Sequence, residues 1–375
     1  MKKSIFCLLF VFICINSIHA QNKLSETEKI SSLIKIHGFL KYYHPEVGKG
    51  KFEWDKEFIK YLPQVLKAKD KESLSTIYIN WIDSLGTIKV CKKCNSKKKY
   101  FDKNFDLSWF QDTTVFNNSV TLKLKYIEKN RNQRENFYAS NEPVGKIKIT
   151  NEPIYKDFEY PDEEYRLLGL AKYWNIIEYF YPYKYLTDQN WDLVLNEMIP
   201  KIRYASNKTE YQLSVKELVA KLDDTHAWIN FSTESLKYLP FKISHIDNKA
   251  VVVGFYNDSI ADLNKLKLGD VILKINDLDV ETELIQNLKY EAGSNKNIKI
   301  KSTYNRIFNG LENTANLTIE RNGAIEQMKV NRYDFKDFNY WNSTKRVKSK
   351  SINDEIGYIN MASVKGIDIP GIFDS

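Results

Sequence analysis

Tyr179-Phe180-Tyr181-Pro182, followed nine residues later by Trp191-Asp192, repeats Tyr42-Tyr43-His44-Pro45 and Trp54-Asp55 at a constant separation of 137 residues. The same separation pairs Pro63 with Pro200, Ala68 with Ala205 and Leu85 with Leu222, with no gap. Proline stops a helix and tryptophan anchors one in a core, so two such residues kept in step mark a duplicated helical unit. The first copy opens at Ser25 and Glu28, spaced as a capping box. It continues with Ile30, Leu33, Ile34 and Leu40 at helical period and stops at Pro45. A second helix is expected from Trp54 to Ala68. A third runs from Glu72 to Leu85, where Gly86 supplies the stop.

The composition suits a folded chain. Of 375 residues 43% are hydrophobic and 28% charged, with 24 Tyr, 20 Phe, 14 Gly and 9 Pro, enough apolar surface for two or three domains and too few breakers for a low-complexity chain. Met1 to Ala20 has Lys2 and Lys3 ahead of an apolar run from Ile5 to Ile15, which reads as a cleaved export signal and predicts a periplasmic or extracellular protein. No later run approaches the roughly 20 apolar residues of a membrane span, so no integral membrane segment is expected after cleavage. The formal charge of +8 is spread along the chain. Its densest cluster, Lys92, Lys93, Lys97, Lys98 and Lys99, reads as a solvated loop and not as a nucleic-acid surface. Cys91 and Cys94 form a C-x-x-C pair without the helix start of a redox motif or the four ligands of a zinc site, and the expected state is a local structural disulfide.

Between the copies, Ser119 to Ile127 and Lys146 to Thr150 alternate in polarity. They predict a short hairpin or extended arm, separated by a polar run beginning with Glu128 to Glu135. The copies diverge at their ends. Where the first closes with Leu85-Gly86, the second continues Leu222-Asp223-Asp224-Thr225-His226-Ala227-Trp228-Ile229. An imidazole just past a helix, flanked by carboxylates and a hydroxyl, makes His226 the candidate general base; a hydrogen-bonded structural histidine is the alternative. His19, His37, His44 and His245 stand in no metal-ligand spacing, and neither a metal nor another cofactor is expected.

From Phe241 to Arg332 the pattern changes to short strands: Ala250 to Phe255, Val271 to Ile275, Ala315 to Glu320 and Ile325 to Asn331. The last two flank an Asn322-Gly323 turn. Ser259 is placed to cap a short helix, and Thr282 to Tyr290 offers a second one. Ser259, Ala261, Leu266, Leu268-Gly269-Asp270, Ile272, Ile275-Asn276 and Val280 resemble the bacterial PDZ pattern over about 90 residues. That resemblance implies a groove for peptide C-termini lined by Leu284 and Leu288, although no carboxylate-binding loop is recognisable near Leu239 to Ile243 and Ser294 to Gly310 is longer than the pattern.

The whole order, from signal through the Asp-Thr-His-Ala ending and the PDZ segment to Glu355-Ile356-Gly357-Tyr358-Ile359-Asn360-Met361, resembles the tail-specific or C-terminal processing serine peptidases, in their tricorn-core-like branch. The resemblance implies that His226 is the general base and Thr225 the residue that orients it, acting on polypeptides with exposed C-termini. It places the nucleophilic serine after a further strand and helix, in glycine-rich surroundings that neither Ser363 nor Ser375 has. The expectation is the front part of a longer peptidase, inactive alone. Two other readings stay open: a peptide-binding adaptor of the cell envelope and a carrier of apolar ligands.

The expected architecture is multidomain α+β, with duplicated helical bundle segments, a β-rich PDZ domain and the beginning of a truncated α/β peptidase domain. Boundaries are placed at 1–20 (signal), 24–90, 91–160, 161–232, 236–335 and 350–375.

Overall fold

The computed structural model describes residues 23–92, 94, 106–133, 135–143, 145–156, 158–231, 236–263, 265–338, 348–361 and 363–373. The expected export signal, most of the lysine cluster and Ser375 lie outside the described residues. The chain is a multidomain α+β protein that divides into two units, Met1–Leu222 and Asp223–Ser375.

The first unit begins with α1 (Glu26–Tyr43), α2 (Trp54–Lys67) and α3 (Lys71–Ser84). Ser25 and Glu28 close the capping box at the start of α1: the Ser25 hydroxyl accepts from Glu28 N at 3.2 Å, and Ser25 N donates to Glu28 Oε2 at 2.7 Å. Next come α4 (Asn118–Lys129), the hairpin β1 (Ala139–Asn141) and β2 (Ile147–Ile149), and the second helical copy, α5 (Glu163–Phe180), α6 (Trp191–Arg203) and α7 (Lys208–Ala220). Every helix of the first copy recurs in the second at the sequence offset, within one residue at each end. Even the short 3-10 turn at Val47–Lys49 recurs at Lys184–Leu186.

Alternation misreads Ser119 to Ile127, which is helix and not strand. Val120, Leu122, Leu124 and Tyr126 alternate in sequence, yet the buried set is Val120, Leu124 and Ile127, one helical face, and Leu122 and Tyr126 are exposed. Asn117 caps that helix by accepting from Val120 N at 3.2 Å.

The copies pack against each other through contacts that obey an internal two-fold relation. Lys35 of α1 pairs with Asp192 of α6 at 2.9 Å, and their counterparts Lys172 of α5 and Asp55 of α2 pair at 2.9 Å. Each copy thus gives a lysine to the other and receives one, as across a symmetric dimer interface. Tyr42 meets its own counterpart Tyr179, ring centroids 5.1 Å apart. Gly38 meets its counterpart Asn175, whose Nδ2 donates to Ile34 O at 2.9 Å and to Ala171 O at 2.8 Å.

Inside each copy one reciprocal link ties the first helix to the second. In the first, His37 Nε2 donates to Trp54 O and Trp54 Nε1 to His37 O, both at 3.2 Å. In the second, Trp174 stands where His37 does and makes the same two bonds with Trp191, at 2.9 and 3.1 Å. His37 is therefore a core residue. Burial pushes its pKa down to about 3, so it stays neutral, stacked on Trp54 at 5.0 Å. Glu152, just after the hairpin, joins Lys172 at 2.7 Å and the buried Lys41, where burial pushes the ammonium pKa down; Tyr155 donates to Asp55 at 2.8 Å. This network fastens the chain between the copies to the helices. Cys91 and Cys94 form the expected disulfide, and Cys91 N donates to Asn130 Oδ1 at 2.8 Å.

The second unit is built on an antiparallel sheet of β3 (Phe241–Ile246), β4 (Lys249–Phe255), β5 (Val271–Ile275), β6 (Leu278–Asp279), β7 (Thr314–Arg321) and β8 (Ala324–Asn331), in the order β3-β4-β5-β7-β8 with β6 beside β5. Three helices accompany it: α8 (Asp258–Leu263), α9 (Val280–Asn287) and α10 (Lys296–Phe308). Ser259 lies inside α8, and the side chain that accepts from Ile260 N, at 3.4 Å, is that of Asn257. Asp270, 1% exposed, takes Arg321 on both carboxylate oxygens at 2.7 Å each and Lys267 N at 2.8 Å, which fixes the turn into β5. Gly357–Ile359 forms the expected strand β10, paired with β9 (Ser349–Ser351) and followed by the short helix α11 (Ile369–Phe373).

Candidate functional site

Asp223 adopts a left-handed conformation, φ 52°, and its carboxylate pairs with Lys299 of α10. The chain then turns back on itself. Asp224 Oδ1 accepts from His226 N at 2.9 Å and from His226 Nδ1 at 3.0 Å, while Ala227 N bonds Asp224 O at 3.0 Å. Nδ1 faces the carboxylate on a side chain 96% exposed, an arrangement that in the neutral ring favours the tautomer with its lone pair on Nε2. An imidazole so oriented can take a proton from a hydroxyl or water brought to it.

The expected partner Thr225 bonds elsewhere. Its hydroxyl lies 2.9 Å from Ser294 Oγ and accepts from Ser294 N at 3.3 Å, tying the motif to the loop ahead of α10. Asp224 is the side chain that meets the ring nitrogen. The signal in the sequence is its spacing, because an aspartate two residues before a histidine reaches both the backbone and the ring nitrogen in a tight turn. Among the described residues Asp224 is the hydrogen-bond partner of His226, and no serine takes that place.

A second site lies along β3. This strand ends the sheet and pairs on one side with β4. The hairpin turn at Asp247 and Asn248, both at positive φ (48° and 59°), makes Ile246 and Lys249 a hydrogen-bonded pair. By the antiparallel alternation, the backbone groups of His245 and Ile243 then face the open edge. Beside this edge runs α10, capped by Asn295, which accepts from Ile298 N at 3.0 Å. Strand and helix enclose a groove of about 610 Å³, lined by Tyr238, Ile243, His245, Ile298, Tyr304 and Phe308 among others. His245 Nδ1 lies 2.7 Å from the Tyr304 hydroxyl, whose pKa burial pushes up to about 12.

Leu284 and Leu288 do not line this groove. Leu284 is 7% exposed within the sheet core and Leu288 packs against that core. The groove helix is α10, inside the stretch that the sequence marks as unusually long. Among the described residues, no cluster of three or more His, Cys, Asp or Glu is arranged to hold a metal, and no helix is long and apolar enough to cross a membrane.

An open edge strand facing a helix is the architecture of a peptide-accepting module. Residues 235–363 match the model of the PDZ domain family, and the second unit carries a PDZ domain. Among solved structures the chain is similar to mature CPAF, at 16% identity and a TM-score of 0.37, over 45% of this chain and 34% of that one. It is also similar to the photosystem II D1 C-terminal processing protease, at 15% identity and a TM-score of 0.27, over 44% of this chain and 43% of that one. The chain thus spans about a third of the CPAF chain and under half of the D1 processing protease. No curated protein matches it.

Proposed function

We propose that this chain serves an exported serine peptidase of the tail-specific kind, in which the PDZ groove receives an extended polypeptide and His226, oriented by Asp224, is the general base. The observation that carries this reading is the Asp224–His226 dyad: one ring nitrogen is fixed by a carboxylate and the other is left open to solvent. Met1 to Ala20, the Asp-Thr-His-Ala order and the PDZ domain downstream support it. Because His226 has no serine partner among the described residues, the nucleophile would be presented by polypeptide outside them.

The test joins His226 to a chain that hydrolyses peptide. In such a form, His226→Ala lowers kcat by about two to four orders of magnitude through loss of general-base action. Asp224→Asn lowers it less and shifts the pH profile, because the ring loses the group that holds its tautomer. Hydrolysis unaffected by His226→Ala removes the base from the mechanism. Peptide binding with no hydrolysis in any form of the protein leaves the envelope adaptor, which the groove alone supports.

A further inference from the structure

The groove has a chemical character that neither the PDZ architecture nor the proposed reaction dictates. Among the described residues its charged lining side chains, apart from a histidine, are Lys242 on β3 and Lys301 on α10, one on each wall, and none is an aspartate or glutamate. Lys242 lies over the ring of Tyr256, 5.3 Å from its centroid, and Lys301 is exposed. Among the described residues neither has an acidic partner. Lys299, two positions before Lys301 on the same helix, is taken up by Asp223.

The backbone ahead of β3 is correspondingly poor in donors. A carboxylate nest needs consecutive N–H groups converging on one point. Here Lys237 N is spent on Gly310 O at 2.8 Å and Tyr238 N on Tyr333 O at 2.9 Å, and Pro240 has no N–H to give. Asn297, Asn305 and Asn309 add neutral amides to the lining, and Ser244 a hydroxyl.

Resting on the reading of this groove as a peptide site, we infer that Lys242 and Lys301 recognise carboxylates of the bound segment, so that the groove selects acidic extended polypeptides. The peptide backbone adds to the edge of β3, and acidic groups on it meet the two lysines across the groove. A carboxylate comes from two sources, an acidic side chain or a chain terminus, and the amide-poor loop favours the side chain.

Fluorescence anisotropy of the full chain with four labelled octapeptides separates these sources: acidic or neutral in sequence, each with a free or an amidated C-terminus. The acidic amidated peptide is expected to bind at least about fivefold tighter than the neutral amidated one, an advantage that fades at high salt. Freeing the terminus is expected to add less than about twofold. Lys242→Gln with Lys301→Gln should erase the difference between the acidic and neutral amidated peptides, with the far-ultraviolet dichroism intact. Equal binding of acidic and neutral peptides, or a preference that survives in the double variant, overturns the lysine inference while the peptide groove stands. Binding that disappears on amidation assigns recognition to the terminus and overturns it too. No binding of any of the four removes the groove reading itself and the inference with it.

Discussion

Replacing Gly38 by alanine tests the packing of the two helical copies with an unambiguous sign. In an ordinary helix interior, glycine to alanine stabilises by about 1 kcal/mol, because alanine restricts the unfolded chain. At Gly38 the added Cβ would stand 1.7 Å from Asn175 Oδ1 and 2.0 Å from its Cγ, distances that no relaxed structure tolerates. Asn175 is 2% exposed, so its amide has no solvent to retreat into, and its two bonds to Ile34 O and Ala171 O are lost when it moves. An unsatisfied buried amide costs about 1–3 kcal/mol and overpacking a similar amount. Set against the helix gain, Gly38→Ala is expected to destabilise by about 1–5 kcal/mol. Urea unfolding of the full chain, followed by tryptophan fluorescence, measures it; Trp54, Trp81, Trp174 and Trp191 are all buried in this unit. The double variant Gly38→Ala with Asn175→Ala should recover about 2 kcal/mol, since the side chain that collides is gone. A Gly38→Ala protein as stable as the parent, or a double variant no better than the single one, would refute the close approach of α1 and α5 at this point.

Two further outcomes concern charge. Glu178 is largely buried and paired with Lys184 at 2.6 Å; burial pushes its carboxyl pKa up to about 7 from the ordinary 4.5, against the pull of that lysine. A raised folded-state value means stability that is complete below pH about 4.5 and lost as pH rises through about 7, at most about 3 kcal/mol; Glu178→Gln should flatten that window in urea titrations, and an unaltered pH dependence contradicts it. Asp270→Asn leaves Arg321 without its two-pronged acceptor and should cost the PDZ domain about 3 kcal/mol, read by urea unfolding; a loss under about 0.5 kcal/mol would show the pair to be marginal.

The duplication was legible because proline and tryptophan punctuate it. Pro45 and Pro182 stop the first helices, and Trp54 and Trp191 open the next, so boundaries could be read without knowing the packing. The cross-pairing of Lys35 with Asp192 was not legible, since no periodicity links residues on separate copies. Ser119 to Ile127 misled because a helix with Leu122 and Tyr126 left in solvent mimics a strand's alternation. The groove helix is faint in the sequence because its core residues Ile300, Tyr304 and Phe308 are separated by lysines and polar residues; the cap at Asn295 is its clearest mark. For His226 the sequence marked the residue, and only the turn geometry revealed which neighbour holds it.

The exchanged lysines have a consequence for each copy considered alone. The first copy contains both Lys35 and Asp55, a donor and an acceptor that do not meet within it, and the second contains Lys172 and Asp192 in the same state. A free-standing single copy is therefore self-complementary: two molecules of it, placed face to face, could form both bonds at once. The covalent connection spares this protein that bimolecular encounter, and the mutual affinity of the two halves no longer depends on how much of the protein is present.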